Sequence, residues 1–281
     1  MKQNIELDKI REFGDIISDT FVLIRQNFKP LLKAYFTICG VFMIGGILAS
    51  IMYHTQHVYG DTPSLFSFAG TLSFLFGILN HTALVLTVIC YFILYKEKGN
   101  QPPNIIEVWG YFRYYSLRVL GTQFILILAM CISALFCVVP AIYLFPIVSL
   151  VIPIMVIENA NVEYSIKKAY HILKGDWWLT FGVLLLLAVI VLAAFAVIFT
   201  PPAIFWGVSQ WLTGRALDTS FIIIRSIIFQ ACEVLGILPI IGITLVYYTL
   251  TEQKESNSLI NRIQMFGKSN SGADEHQSEQ Y

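Results

Sequence analysis

Six stretches of about 20 mostly apolar residues decide what this chain can become. A helix of that length crosses the hydrocarbon core of a bilayer. Inside that core every backbone N–H and C=O must find its partner within the protein, so helices are the economical answer. The stretches are Leu31–Met52, Leu75–Tyr95, Val119–Val139, Ala141–Ile157, Trp178–Thr200 and Ile227–Tyr248. The third and fourth are divided only by Pro140, and the fifth stops at Pro201 and Pro202. Of the 281 residues, 57% are hydrophobic and 13% charged. A soluble domain carries about twice that charge, so the remainder cannot cover a water-facing surface. The expected fold class is an all-α integral membrane protein with six transmembrane helices. Residues 1–250 would form one polytopic membrane domain, and 251–281 a polar tail that is largely disordered. Leu259, Ile260, Ile263 and Phe266 could make one short amphipathic stretch in that tail.

The basic residues supply an orientation. Sixteen of the eighteen fall in alternate segments: before or at the start of the first span, after the second, after the fourth, and in the tail. Only Arg215 and Arg225 fall on the other side. Basic residues accumulate on the cytoplasmic side, so both termini are expected there. Fusing the third and fourth spans through Pro140 would break the alternation. The first 30 residues are charged and periodic, unlike a cleavable signal peptide with its continuous apolar run. Net charge is zero, which argues against a nucleic-acid partner.

Each pair of spans is expected to form a hairpin preceded by an amphipathic helix at the cytoplasmic interface. In about 9–28, Ile10, Phe13, Ile16, Ile17, Phe21, Ile24 and Phe28 share a stripe at about 100° per residue, opposite Arg11, Glu12, Asp15 and Asp19. In about 162–177, Val162, Ile166, Ala169, Tyr170 and Leu173 share a face that Lys167, Lys168, His171 and Lys174 avoid. The third such segment, about 104–118, has a less regular stripe around Trp109 and Phe112. Phe21-Val-Leu-Ile-Arg-Gln-Asn-Phe28 and Tyr170-His-Ile-Leu-Lys-Gly-Asp-Trp177 follow one pattern, and a span follows each. Phe28, Trp109, Trp177, Trp178, Trp206 and Trp211 are the candidate interfacial anchors, since amphipathic rings settle at headgroup level.

Few polar residues interrupt the spans. Glu233 stands out, because a charge at the centre of a span costs about 2.5–3.5 kcal/mol on insertion scales. It is expected to face the bundle interior, either bonded to another helix or serving a proton or substrate. Arg225 is eight residues earlier, about 12 Å along a helix, too far for a good direct pair. Asn80 and His81, at the start of the second span, could bond between helices or line a cavity. Glu158, just before the interfacial segment at about 162–177, suits a helix N-terminus, where free N–H groups favour a carboxylate. His54 and His57 lack further ligands nearby, so no metal site is expected. Pro140, Pro146 and Pro153 mark the fourth span as bent or broken. Cys39, Cys90, Cys131, Cys137 and Cys232 all lie in apolar blocks as packing residues. The phosphate-binding glycine loops, nucleophile elbow and zinc-helix patterns are absent, and no cofactor is expected.

The run Pro153-Ile-Met-Val-Ile-Glu158, then Ser165, then Leu173-Lys-Gly-Asp-Trp-Trp178, is similar to the membrane domain attached to some glycerophosphoryl diester phosphodiesterases and to related stand-alone bacterial proteins. Phe21 to Leu32 resembles that family's opening helix. The resemblance implies a polytopic protein of a bacterial inner membrane, without the catalytic barrel, which needs about 250 residues of its own. The expected role is non-enzymatic: a structural or interaction component of an envelope process, in contact with membrane lipids and other membrane proteins. A small transporter using Glu233 and the proline-rich fourth span is the alternative.

Overall fold

A computed structural model describes residues 7, 9–56, 67–213 and 219–270, with the backbone alone for 255–270. The described chain is helical: α1 Phe13–Thr55, α2 Phe68–Glu97, α3 Ile105–Phe136, α4 Val138–Ile157, α5 Val162–Leu173, α6 Trp177–Thr213, α7 Thr219–Cys232 and α8 Ile237–Asn270. A 3-10 turn, Glu233–Gly236, joins α7 to α8. Six helical segments are long and apolar enough to cross a membrane, α7 and α8 together forming the last.

The core is built around two helices. Residues 82–92 of α2 and 240–250 of α8 are buried on every side. The second half of α4, from Leu150 to Val156, joins them. In a membrane, a helix apolar all round can sit at the centre of a bundle. The helices α1, α3, α4 and α6 surround this centre, with α1 against α2, α3 against α2 and α4, and α6 against α8. The outer helices turn Ile44, Leu48, Leu128, Leu135, Leu192 and Val197 outward. Threonines in the interior cost little, because each can return its hydroxyl to the carbonyl four residues back. Thr20, Thr82 and Thr244 do so at 2.7 Å.

Several boundaries differ from the sequence expectation. The segment about 9–28 is not a separate helix lying ahead of the first span: α1 runs through Pro30 without a break. At 43 residues it is about 64 Å long, roughly twice the bilayer core. The reason is phase: Thr20, Leu23, Asn27, Leu31, Ala34 and Tyr35 form one buried stripe on both sides of the proline. Packing against α2 and α8 holds the helix through one missing hydrogen bond. Of the expected stripe, Ile16 is buried, whereas Ile10, Phe13, Phe21 and Phe28 face outward. Arg11, read as solvent-facing, is buried, with its guanidinium on Asp19 at 2.8 Å and on the Leu7 and Lys9 carbonyls.

In the same way, 104–118 is continuous with the third span in α3, started by an Asn104 and Glu107 capping box. Only α5 stands as a separate short helix ahead of its span. Gly175, at φ 101°, makes the turn into α6 that a residue with a side chain would resist. The face α5 buries is Ser165, Ala169, Ile172 and Leu173, while Ile166 and Tyr170 look outward. The break between α3 and α4 is at extended Cys137, not at Pro140, which takes a first-turn position where its missing N–H costs nothing. Pro146 and Pro153 lie inside an unbroken α4, and α6 continues through Pro201 and Pro202. α8 continues to Asn270, so the first part of the polar tail is helical. The rest of the tail, 271–281, lies outside the described residues, as do His57 and Arg215.

Close approach of α8 to α6 depends on a glycine. A Cβ built on Gly242 would stand 2.2 Å from Leu187 Cδ1, and Leu187 is itself fully buried in α6. Gly242→Val is therefore expected to destabilise the protein by about 1–3 kcal/mol, the usual cost of overpacking. Thermal unfolding in detergent checks it; an unchanged midpoint would refute the close approach.

Candidate functional site

The last span is broken at Glu233. Pro239 has no N–H for the Leu235 carbonyl and its ring crowds that position, so an α-helix cannot run smoothly through 235–239. The chain answers with a 3-10 turn over Glu233–Gly236, then resumes as α8 with Pro239 in its first turn. Gly236 lets the turn lie against α2, where a Cβ would meet Leu84 Cδ2 at 2.9 Å. The transition puts Glu233 at the end of α7, facing α1 and α2.

The Glu233 carboxylate accepts a hydrogen bond from Asn80 Nδ2 of α2. Asn80 is fully buried, thirteenth in α2 and not at its start. Its other amide atom, Oδ1, has no partner. Gln230, one turn before Glu233 and buried, lies beside the same carboxyl, and its Nε2 also lacks a well-formed bond. The Tyr35 hydroxyl of α1 is near the Asn80 amide and likewise unbonded by strict geometry. Gly46 makes room: a Cβ there would stand 2.8 Å from Gln230 Oε1.

The cluster belongs to a longer polar seam. Ser226, Gln230 and Glu233 recur at spacings of four and three, one face of a helix. Ser226 meets Ser50 of α1 at 3.0 Å. On α2, Asn80, Thr87 and Tyr91 share a face in the same manner. Thr87 contacts Cys39 at 3.7 Å, and Tyr91 Oη donates to Asn27 Oδ1 at 3.0 Å. The helices α1, α2 and α7 thus meet along polar contacts from one end of the bundle to the other.

Of the sequence candidates, the fold brings Asn80 and Glu233 together and leaves His81 and Arg225 apart from them. His81 looks to the other side of α2, into a cavity of about 420 Å³ shared with Gly236, Pro239 and Leu126. Arg225 lines a separate cavity with Trp206 and Phe221 and makes no ion pair with Glu233. A third cavity, about 360 Å³, lies between α1, α6 and the break, lined by Phe28, Leu31, Ile190, Val191, Val234 and Leu235. Among the described residues no cluster of three His, Cys, Asp or Glu could hold a metal ion.

Tyr35, Gln230, Gly46 and Pro239 were not singled out from the sequence. Gln230 carried a signal, a second polar residue three positions before Glu233 on the same face, and Pro239 carried another. Tyr35 and Gly46 carried none, because their role comes from another helix.

Glu158 is placed differently from the expectation. It ends α4, and Asn161 is the N-terminal cap residue of α5. Its carboxylate pairs with Lys168 at 2.7 Å and accepts from Tyr247 Oη at 2.5 Å, so it ties α4, α5 and α8. Around it, Arg118 donates to Asn159, Ala160 and Asn161, and Lys254 reaches the Lys174 carbonyl and Asp176. Lys96 lies over the Tyr248 ring at 4.6 Å. On α5, the Lys167 ammonium bonded to exposed Glu163 lowers that carboxyl below its usual range. Of the expected anchors, Phe28, Trp109, Trp178 and Trp211 are exposed. Trp177 stacks on Phe181 and Tyr143, and Trp206 on Phe221 at 4.5 Å.

Two outcomes follow. Asn80→Leu and Glu233→Leu are each expected to cost on the order of 1 kcal/mol, a typical interhelical bond, while Glu233→Gln keeps stability; unfolding in detergent reads all three. Glu158→Ala is expected to cost about 1.5–3 kcal/mol, as for lost bonds to a charged group, and Glu158→Asp should recover part of it. No family model, curated protein or solved structure matches this chain.

Proposed function

We propose that this chain is a non-enzymatic multi-pass protein of a bacterial inner membrane, acting as a structural or interaction component of an envelope process. Its partners on this reading are membrane lipids and other membrane proteins. The observation that carries the reading is the use made of Glu233: its carboxyl is bonded helix to helix by Asn80, and it does not line the nearby cavity of Val234 and Leu235, which is walled by aliphatic and aromatic side chains. Such a cavity offers nothing to orient a polar substrate, and it suits an acyl chain or an apolar helix. The resemblance to the membrane domain of the glycerophosphoryl diester phosphodiesterase type belongs to the same proposal.

The orientation is part of it. Lys96, Lys98, Arg118, Lys168, Lys174 and Lys254 come together at one end of the bundle through the contacts of Glu107, Glu158, Asp176 and Tyr248. The start of the chain reaches the same end, where Thr249 meets the Lys9 carbonyl. Basic residues favour the cytoplasmic side, so this end is the cytoplasmic one, with both termini there and α5 at the interface. A topology reporter fused after Lys268 is expected to report the cytoplasm; a periplasmic signal would overturn the orientation.

A second reading, a small transporter, is favoured by one observation: the break in the last span coincides with its acid, as in discontinuous transporter helices. Complementation separates the two. In a strain whose envelope defect comes from loss of this chain, the structural reading expects Glu233→Gln to restore the wild-type phenotype. A folded, correctly inserted Glu233→Gln protein that fails to restore it would transfer the function to transport.

A further inference from the structure

We propose that Glu233 is a proton-binding site, held as a neutral carboxylic acid in a reciprocal pair with the Asn80 amide. The inference does not depend on the structural reading above and is compatible with either function.

It begins from charge. Glu233 sits within the last span, and among the described residues no cation pairs with it. Arg225 is two turns away in its own cavity. The groups that face Glu233 are Tyr35 and Cys39 from α1, Asn80 from α2 and Gln230 from α7, none of them basic. Next along the chain, Val234 and Leu235 line a cavity whose α6 wall is Ile190, Val191 and Ala194, again without a basic group. A carboxylate without a counter-charge in a low-dielectric setting takes up a proton instead.

The second line is hydrogen-bond arithmetic. An ionised carboxylate only accepts, whereas a carboxylic acid also donates one bond. Asn80 is fully buried and donates from Nδ2 to Glu233, while its Oδ1 makes no well-formed bond, with the Tyr35 hydroxyl as the other donor in the neighbourhood. A buried acceptor left unbonded needs an explanation. A proton on Glu233 supplies a donor from the residue already bonded to Asn80: the acid O–H donates to Asn80 Oδ1 while Asn80 Nδ2 donates to the acid carbonyl. One O–H bond forms, the carboxyl becomes neutral and no other bond changes. Uptake takes that proton from hydronium in the water phase and release returns it there. The site lies at the joint between α7 and α8.

Infrared difference spectroscopy in lipid vesicles, wild type against Glu233→Gln, tests this at neutral pH. The expected result is the carbonyl stretch of a protonated carboxylic acid, absent from the variant, shifted in Asn80→Ala, and unaffected when sodium salts are replaced by choline salts. Carboxylate stretches alone would overturn the proposal. So would an acid band seen only when sodium is removed, which would assign the site to a metal cation. Carbodiimide labelling of the wild type, read by peptide mass spectrometry, needs no variant to fold. Modification at Glu233 that fades as the pH is raised is expected, and an unmodified Glu233 beside labelled surface carboxyls would overturn it.

Discussion

The passage of the last span across α2 fixes much else in this bundle. At Gly236 the backbone lies close against Leu84, and one turn earlier Asn80 bonds Glu233. These contacts set the position of α8 in the centre beside α2, and α8 in turn supplies Gly242 to α6 and Tyr247 to Glu158. In lipid the hydrophobic effect does not drive helices together. Close approach at glycines and a few interhelical hydrogen bonds therefore carry the specificity that apolar burial would supply in water.

The polar groups separate into two systems with different physics. At the basic end, Lys168 with Glu158 and Lys254 with Asp176 join α4, α5, α6 and α8 through partly exposed pairs. At the Glu233 site no cation stands beside the acid among the described residues, and the bonds run through amides, hydroxyls and a carboxyl. Amides can exchange roles as donors and acceptors without a charge being created. The seam of Asn27, Asn80, Gln230 and the facing serines is thus a way to mark helix register at modest cost.

Prolines show why local rules and fold part company. Pro30, Pro146, Pro153, Pro201 and Pro202 all lie within helices, although each removes a hydrogen bond. Where the buried face keeps its phase through the proline, as in α1, packing carries the helix across. Pro239 is accompanied by a break because Gly236 and a polar residue stand just before it, and because the 3-10 turn gains the bond to Asn80.

The sequence by itself determined the helical class and the number of candidate spans, since chain length, apolar runs and backbone hydrogen bonding leave a bilayer few options. It also marked Glu233 as the costly residue, and Asn80 as able to bond between helices. Tertiary structure alone decided which of these meet. It paired Asn80 with Glu233 and not Arg225, turned His81 away, and made Glu158 a tie between three helices. It also merged the segment 9–28 with the first span. The reason is that helix periodicity is a property of one segment, whereas phase across a proline, the partner of a polar atom and the room at a glycine are set by the neighbouring helices.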